Sequence, residues 1–151
     1  LQFVANIVTT YLEPDYFHRN TKTLKYFAEF NDYFPKYDNV VKMLKSVIEF
    51  IYQLNFDSSS YFYRKPNLFT LIIELTKVEL NNIKLDEFKA SLINLENLSN
   101  QYFAKINLEA IPEEYKLYFE YAKQGINDKN QRLHRAQVIA KLINENSETI
   151  S

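Results

Sequence analysis

The chain has 151 residues and a formal net charge of -1, from 18 basic and 19 acidic side chains, and it contains no cysteine. This balance argues against a protein that coats nucleic acid or anionic membrane through an accumulated basic field. The missing cysteines exclude a disulfide framework, a thiolate nucleophile and cysteine-based metal sites, and they fit a reducing cytoplasm, where we expect the protein to lie.

The chain has a single glycine, Gly125. Phosphate-cradling loops, dinucleotide-binding turns and nucleophile elbows need glycine where the backbone approaches a ligand or turns with a positive φ. The sequence therefore predicts no catalytic residue and no cofactor site, and we expect the chain not to be an enzyme by itself. The same scarcity, with only four prolines, favours helices joined by short polar connections.

Apolar residues at three- and four-residue spacings predict helices throughout the first half of the chain. The segment between Asp38 and Leu54 has the strongest stripe, and we expect it to be the central helix. The segment from Pro66 to about Leu80 is apolar almost all round, which indicates burial on more than one side. The other predicted helices here span Leu1–Glu13, before Pro14, and Thr21–Phe34, before Pro35.

Three further helices are predicted in the second half, each with its own boundary signals. Asp86 opens the first, which ends near Asn107. Pro112 begins the second, which ends at Gln124 with Gly125 as its left-handed C-terminal residue. The third is capped by Asn127 or Asp128 and runs to about Asn144.

The fold prediction is therefore all-α: a single helical domain over residues 1–151, with about seven helices in an orthogonal or irregular bundle. No apolar run in the sequence is long enough to cross a membrane, and we expect no membrane partner. The chain begins Leu1-Gln2-Phe3-Val4, without an initiating Met, in what reads as the middle of a helix. We expect it to be a fragment of a longer protein.

The two histidines, His18 and His134, are not spaced as metal ligands with each other or with a carboxylate one turn away. The acidic pair Glu113 and Glu114 points in two directions on a helix, where it suits the positive end of the helix dipole. The sequence consequently predicts no metal site.

Three aromatic residues adjoin two basic residues at the start of the fourth predicted helix. Tyr61 and Tyr63 flank Phe62, and Arg64 and Lys65 follow directly. Such a segment can stack bases and hold phosphates, which predicts contact with DNA or with another domain. Alternatively, the aromatic rings pack the connection onto the core while the two cations stay in solvent or pair with acids.

A second basic group lies at the start of the last predicted helix. Arg132 and Arg135 are three residues apart and share a helical face, where Lys129 extends them into a short basic edge. Two arginines can clamp a phosphate of DNA or contact another domain. Alternatively, they bind acids elsewhere in the chain and lock the last helix in place.

Two segments carry a family resemblance. The residues from Phe62 to Leu71, then Tyr118 to Lys129 followed by the Arg132 and Arg135 pair, resemble the helical C-terminal half of the GmrSD-type restriction family. The opening residues, Leu1 to Tyr37, also resemble the helix that precedes this region, so the similarity spans most of the chain. Members of that family are prokaryotic defence proteins. Their N-terminal ParB/sulfiredoxin-like domain carries an Asp-Gly-Gln-Gln-Arg motif tied to nucleotide use, and some add an HNH nuclease.

This chain has no Asp-Gly step, because its one glycine follows Gln124. The resemblance therefore implies the helical accessory region of a modification-dependent DNA restriction protein, with the missing N-terminal catalytic domain of the same chain and DNA as partners. It assigns contact roles to Arg64, Lys65, Arg132 and Arg135. The alternative is an α-helical interaction or dimerisation scaffold, with a homo-oligomeric partner and no nucleic-acid role.

Overall fold

The computed structural model describes residues 2–13, 16, 37–124 and 128–148. Within these ranges the chain forms six α-helices and no strand, which confirms the all-α prediction. The predicted helix over Thr21–Phe34 and the predicted cap at Gly125 lie outside the described residues. The helices are α1 (Gln2–Leu12), α2 (Tyr37–Leu54), α3 (Lys65–Thr76), α4 (Leu85–Phe103), α5 (Glu113–Gln124) and α6 (Lys129–Glu145).

Local chemistry sets several of the helix ends. Pro66 lies in the first turn of α3, where its fixed φ is tolerated and its missing N–H would have had no helical partner. Glu113 and Glu114 occupy the first turn of α5, near the positive end of its dipole. Asp128 caps α6, since its side chain accepts a hydrogen bond from the Gln131 N–H at 3.1 Å.

Asparagine and lysine take left-handed positions that glycine takes in most proteins. Asn55 follows α2 with φ 52°, and Lys105 and Asn107 follow α4 with φ 58° and 49°. Asparagine tolerates this region better than other residues with a Cβ. The chain therefore reverses direction after these two helices without a glycine.

The central helix is α3, which contacts α1, α2, α5 and α6. The expectation that α2 would be central is wrong. Although α2 is apolar over a wide arc, it buries only part of that arc, and Val41, Ile48 and Tyr52 remain exposed. Its buried residues are Val40, Val47, Phe50, Ile51 and Leu54.

One hydrophobic core joins all six described helices. It includes Ile7 of α1, Leu71 of α3, Leu92 of α4, Phe119 of α5 and Ile139 of α6. No helix among the described residues is both long and apolar enough to span a membrane.

The end of α6 is hydrogen-bonded to the turn before α4. Ile83 and Ser147 form an isolated antiparallel bridge. The Lys84 N–H donates to the Asn146 carbonyl at 2.8 Å, and the Glu148 N–H donates to the Asn82 carbonyl at 2.7 Å. These bonds hold α6 along the core, against α3 and α5.

Candidate functional site

The aromatic-basic segment divides between the core and the surface. Residues Tyr61–Tyr63 form a 3-10 turn whose first N–H groups are capped by the Ser60 hydroxyl, which accepts from the Phe62 N–H at 3.2 Å. Tyr61 and Phe62 are buried, whereas Tyr63 is partly exposed and Arg64 is exposed. Three of its five residues, Tyr63, Arg64 and Lys65, are therefore available to a partner.

The Tyr61 ring is buried and is not available to stack on a base or on another domain. The Tyr61 carbonyl accepts from the Asn67 side-chain amide at 2.8 Å, and its N–H donates to the Glu96 carboxylate. Burial raises the pKa of the Tyr61 hydroxyl to about 12, against the lowering effects of Asn67 and Arg64. The Arg64 guanidinium lies 5.3 Å from the centre of the Tyr61 ring, where the two form a cation–π contact.

Arg132 and Arg135 are in the interior, at 1% and 0% exposure, and do not line a basic edge. The Arg132 guanidinium lies 4.7 Å from the centre of the Phe69 ring. Arg135 donates from Nη1 to the Tyr121 carbonyl at 2.8 Å and from Nε to the Thr70 hydroxyl at 3.3 Å. Their shared helical face, correctly predicted, points into the protein because α3 and α5 cover it.

A buried polar cluster surrounds Arg135. The Tyr118 hydroxyl donates to Asn67 Oδ1 at 2.7 Å, and the Tyr16 hydroxyl donates to Glu74 Oε2 at 2.7 Å. Lys77 forms an ion pair with Glu74 at 2.7 Å. Hydrogen-bonded polar groups of this kind fix how elements pack, because displacing them leaves buried groups without partners.

Burial also changes the acidity of this cluster. Burial raises the pKa values of the Tyr16 and Tyr118 hydroxyls well above the ordinary value, and the Glu74 carboxylate raises that of Tyr16 further. Burial lowers the pKa of Arg135, an effect that the neighbouring tyrosines oppose. The cluster consequently holds neutral hydroxyls and cations inside the domain, where its role is structural.

A sequence signal for this cluster exists and was missed. Asn67, Thr70 and Glu74 are polar residues in an otherwise apolar helix, at spacings of three and four. They therefore share one face of α3, and all three are buried. A polar stripe on a helix that is apolar elsewhere predicts partners on a neighbouring helix, which here include Arg135.

The two predicted basic groups therefore differ in exposure. Arg64 and Lys65 are exposed, Arg132 and Arg135 are buried, and Lys129, the first residue of α6, is half-buried. Beside Arg64 is a depression of about 550 Å³. Its lining includes the Glu96 carboxylate, which offsets the charge of Arg64.

An apolar groove runs between α1 and α2, with α3 as its floor. Its volume is about 390 Å³, and its lining is aliphatic or aromatic throughout: Phe3, Val4, Ile7, Leu44, Ile48, Ile51, Tyr52, Tyr63, Leu68 and Ile72. Tyr52 and Ile48, on the α2 wall, are 83% and 57% exposed. From the stripe on α2 the sequence predicted a central helix, and it gave no indication of the groove.

The groove gives this part of the described surface an apolar character. Contiguous apolar patches on a soluble domain mark sites for proteins, membranes or ligands. The described residues contain no group of three or more His, Asp or Glu side chains that could hold a metal ion. His134 is exposed, with its ring centre 5.3 Å from that of Tyr121, and His18 lies outside the described residues.

Comparisons of the chain with protein-family models, with curated proteins and with solved structures found no match.

Proposed function

We propose that this domain is a protein-interaction module that binds an amphipathic helix in the groove between α1 and α2. The observation that carries the proposal is the exposure of Tyr52 and Ile48 at the rim of a groove whose whole lining is aliphatic or aromatic. Apolar surface in water is unfavourable by roughly 25 cal/mol per Å², so covering this groove stabilises a complex.

The shape and pattern of the groove support a helical partner. Leu44, Ile48 and Tyr52 follow one another along the α2 wall at four-residue spacings, and Val41 continues the stripe beyond the residues that line the groove. Two helix walls above a helical floor form a channel of the kind that receives one apolar face of an amphipathic helix. The anchor residues of such a partner would repeat every three to four positions.

A peptide selection tests this function. A displayed library of helical peptides is selected on the protein and counter-selected on the Ile48→Glu/Tyr52→Glu variant, whose changed side chains are exposed and leave the core intact. We expect the enriched peptides to be amphipathic helices that bind the wild type and lose binding to the variant. Enrichment only of peptides that bind both proteins equally would reject the groove as the site.

A second candidate function is favoured by the exposure of Arg64 and Lys65 at the start of α3, next to the partly exposed Tyr63. With the resemblance to the GmrSD-type restriction family, this surface supports a helical accessory region that contacts DNA or the missing N-terminal catalytic domain. The buried Arg132 and Arg135 would then orient α6 and take no part in the contact.

Fluorescence anisotropy with a short DNA duplex, titrated with salt, tests this second candidate. We expect salt-sensitive binding that Arg64→Ala/Lys65→Ala weakens. The variant Lys42→Ala/Lys84→Ala removes the same charge from exposed positions elsewhere and controls for a general electrostatic effect. Equal loss in both variants, or no binding at low salt, would remove DNA from the proposal.

A further inference from the structure

We infer that the groove binds a second copy of this chain, through an antiparallel contact between the two α2 helices about a two-fold axis at the level of Val47. The inference rests on the proposed function, since it names the partner of the same groove. Three observations carry it: the positions of the exposed apolar residues on α2, the charges beside them, and the exposed area.

The first observation is that the α2 stripe interdigitates with itself when reversed. Measured from Val47 at about 1.5 Å per residue, Val41 and Leu44 lie about 9 and 4.5 Å to one side, while Ile48 and Tyr52 lie about 1.5 and 7.5 Å to the other. Reversal places Val41 beside Tyr52 of the second copy. It also places Leu44 between the second copy's Ile48 and Tyr52, so that side chains of the two copies alternate along the contact between the two α2 helices.

The second observation is a charge match. Lys45 and Glu49 are exposed and lie beside the apolar stripe of α2, on the side that faces solvent. Lys45 is two residues before Val47, and Glu49 is two residues after it. The same axis that interdigitates the apolar residues therefore brings each Lys45 to the level of Glu49 in the second copy, twice in the dimer. A parallel pairing would instead place the two Lys45 residues at one level on opposite sides of the contact, without this match of opposite charges.

Within one helix, these two residues are in the less favourable order. A glutamate four residues before a lysine pairs better than the reverse arrangement seen here, because of the helix dipole. Pairing across the contact between the two α2 helices has no such restriction. The order of the two charges is therefore better suited to a contact between helices than to a contact within α2.

The third observation is area. Val4, Val41, Ile48, Tyr52 and Tyr63 together expose on the order of 500 Å², since a large side chain presents roughly 150–250 Å² when fully exposed. A stable interface buries about 800 Å² on each partner. An interface of this size therefore also has to bury the half-buried groove residues and the polar residues Lys45 and Glu49.

Charge reversal tests the arrangement directly, with dimerisation measured by sedimentation equilibrium. We expect the wild type to dimerise. Lys45→Glu and Glu49→Lys each place like charges opposite one another twice, and we expect each variant alone to dimerise about 10- to 30-fold more weakly. An equimolar mixture of the two variants restores opposite charges at both positions, and we expect it to form a heterodimer of nearly wild-type affinity.

Lys84→Glu, which makes the same charge change at an exposed position outside α2, is the control and should dimerise like the wild type. Thermal unfolding of every variant confirms that each is folded. A wild type that stays monomeric at about 100 μM, far above the dissociation constants of stable dimers, would overturn the inference. So would a dimer that ignores both reversals, or two weakened variants that fail to recover on mixing.

These failures are distinguishable from a failure of the proposed function. The peptide selection runs on dilute protein and reports whether the groove binds any helix. A monomeric wild type whose groove still selects helical peptides would reject the second copy and retain the interaction module.

Discussion

Arg135→Met should destabilise the domain substantially. Arg135 is fully buried, and its guanidinium donates to the Tyr121 carbonyl at 2.8 Å and to the Thr70 hydroxyl at 3.3 Å. Hydrogen bonds from charged groups contribute about 1.5 to 3 kcal/mol, and the longer bond contributes at the low end of the ordinary range, about 0.5 kcal/mol. Methionine retains most of the apolar stem, so the cavity left behind is small.

One effect opposes this loss. Removing a buried cation relieves its desolvation, the same cause that lowers the pKa of Arg135. The two bonds together exceed this relief because the substitution also leaves the Tyr121 carbonyl without its donor. We therefore expect the free energy of unfolding to fall by about 2 to 3 kcal/mol, or roughly 4 to 12 °C in Tm for a chain of this size.

Urea unfolding followed by circular dichroism measures this change. Arg64→Met makes the same substitution at an exposed position and should alter the free energy of unfolding by less than about 0.5 kcal/mol. If Arg135→Met were as stable as the wild type, or if Arg64→Met were equally destabilised, the assignment of Arg135 to the core would be refuted.

Three other outcomes follow from the described contacts. Tyr118→Phe removes the hydroxyl that donates to Asn67 Oδ1. In the same urea assay, the free energy of unfolding should fall by about 1 to 2 kcal/mol. An unchanged value would mean that Asn67 has another donor. Asp128→Ala removes the cap of α6 and should cost about 1 kcal/mol, whereas Asp128→Ser, which also caps, should cost less.

The third prediction concerns alkaline pH. Burial raises the pKa of Tyr61 to about 12 and that of Tyr118 further, whereas both pKa values are near 10 in the unfolded chain. The free energy of unfolding is therefore unchanged below about pH 10 and falls as the pH rises from 10 through 12. Absorbance of phenolate at 295 nm should show these tyrosines ionising together with the loss of helical circular dichroism, and ionisation before unfolding would contradict their burial.

The helices themselves could be predicted because the signals that form them are local. Pro112 and Asp128 mark the starts of α5 and α6 within one residue of the structure, since a fixed φ and a capping oxygen act on their own helix. The end of α2 was predicted correctly at Leu54, whereas α4 ends at Phe103 and not near Asn107. Lys105 takes a left-handed position just after α4, and lysine is not a strong signal for a helix end without its context.

The placement of the candidate site residues could not be predicted in the same way. Arg132 and Arg135 were correctly assigned to one helical face, but a face has no direction until its neighbours are known. Thr70, which accepts from Arg135, is 65 residues away in sequence. The groove was missed for the same reason, since the stripe on α2 looks identical whether its Tyr52 end is covered or exposed.

The sequence by itself determined that this chain is all-α, where most of its described helices begin, and which residues share a face, because backbone hydrogen bonding, capping and periodicity act within a few residues. Only the tertiary structure decided which faces are covered. It put α3 at the centre, buried Arg132 and Arg135 in the interior, and left an apolar groove open between α1 and α2. Burial depends on contacts between segments far apart in the chain, and no local pattern specifies them.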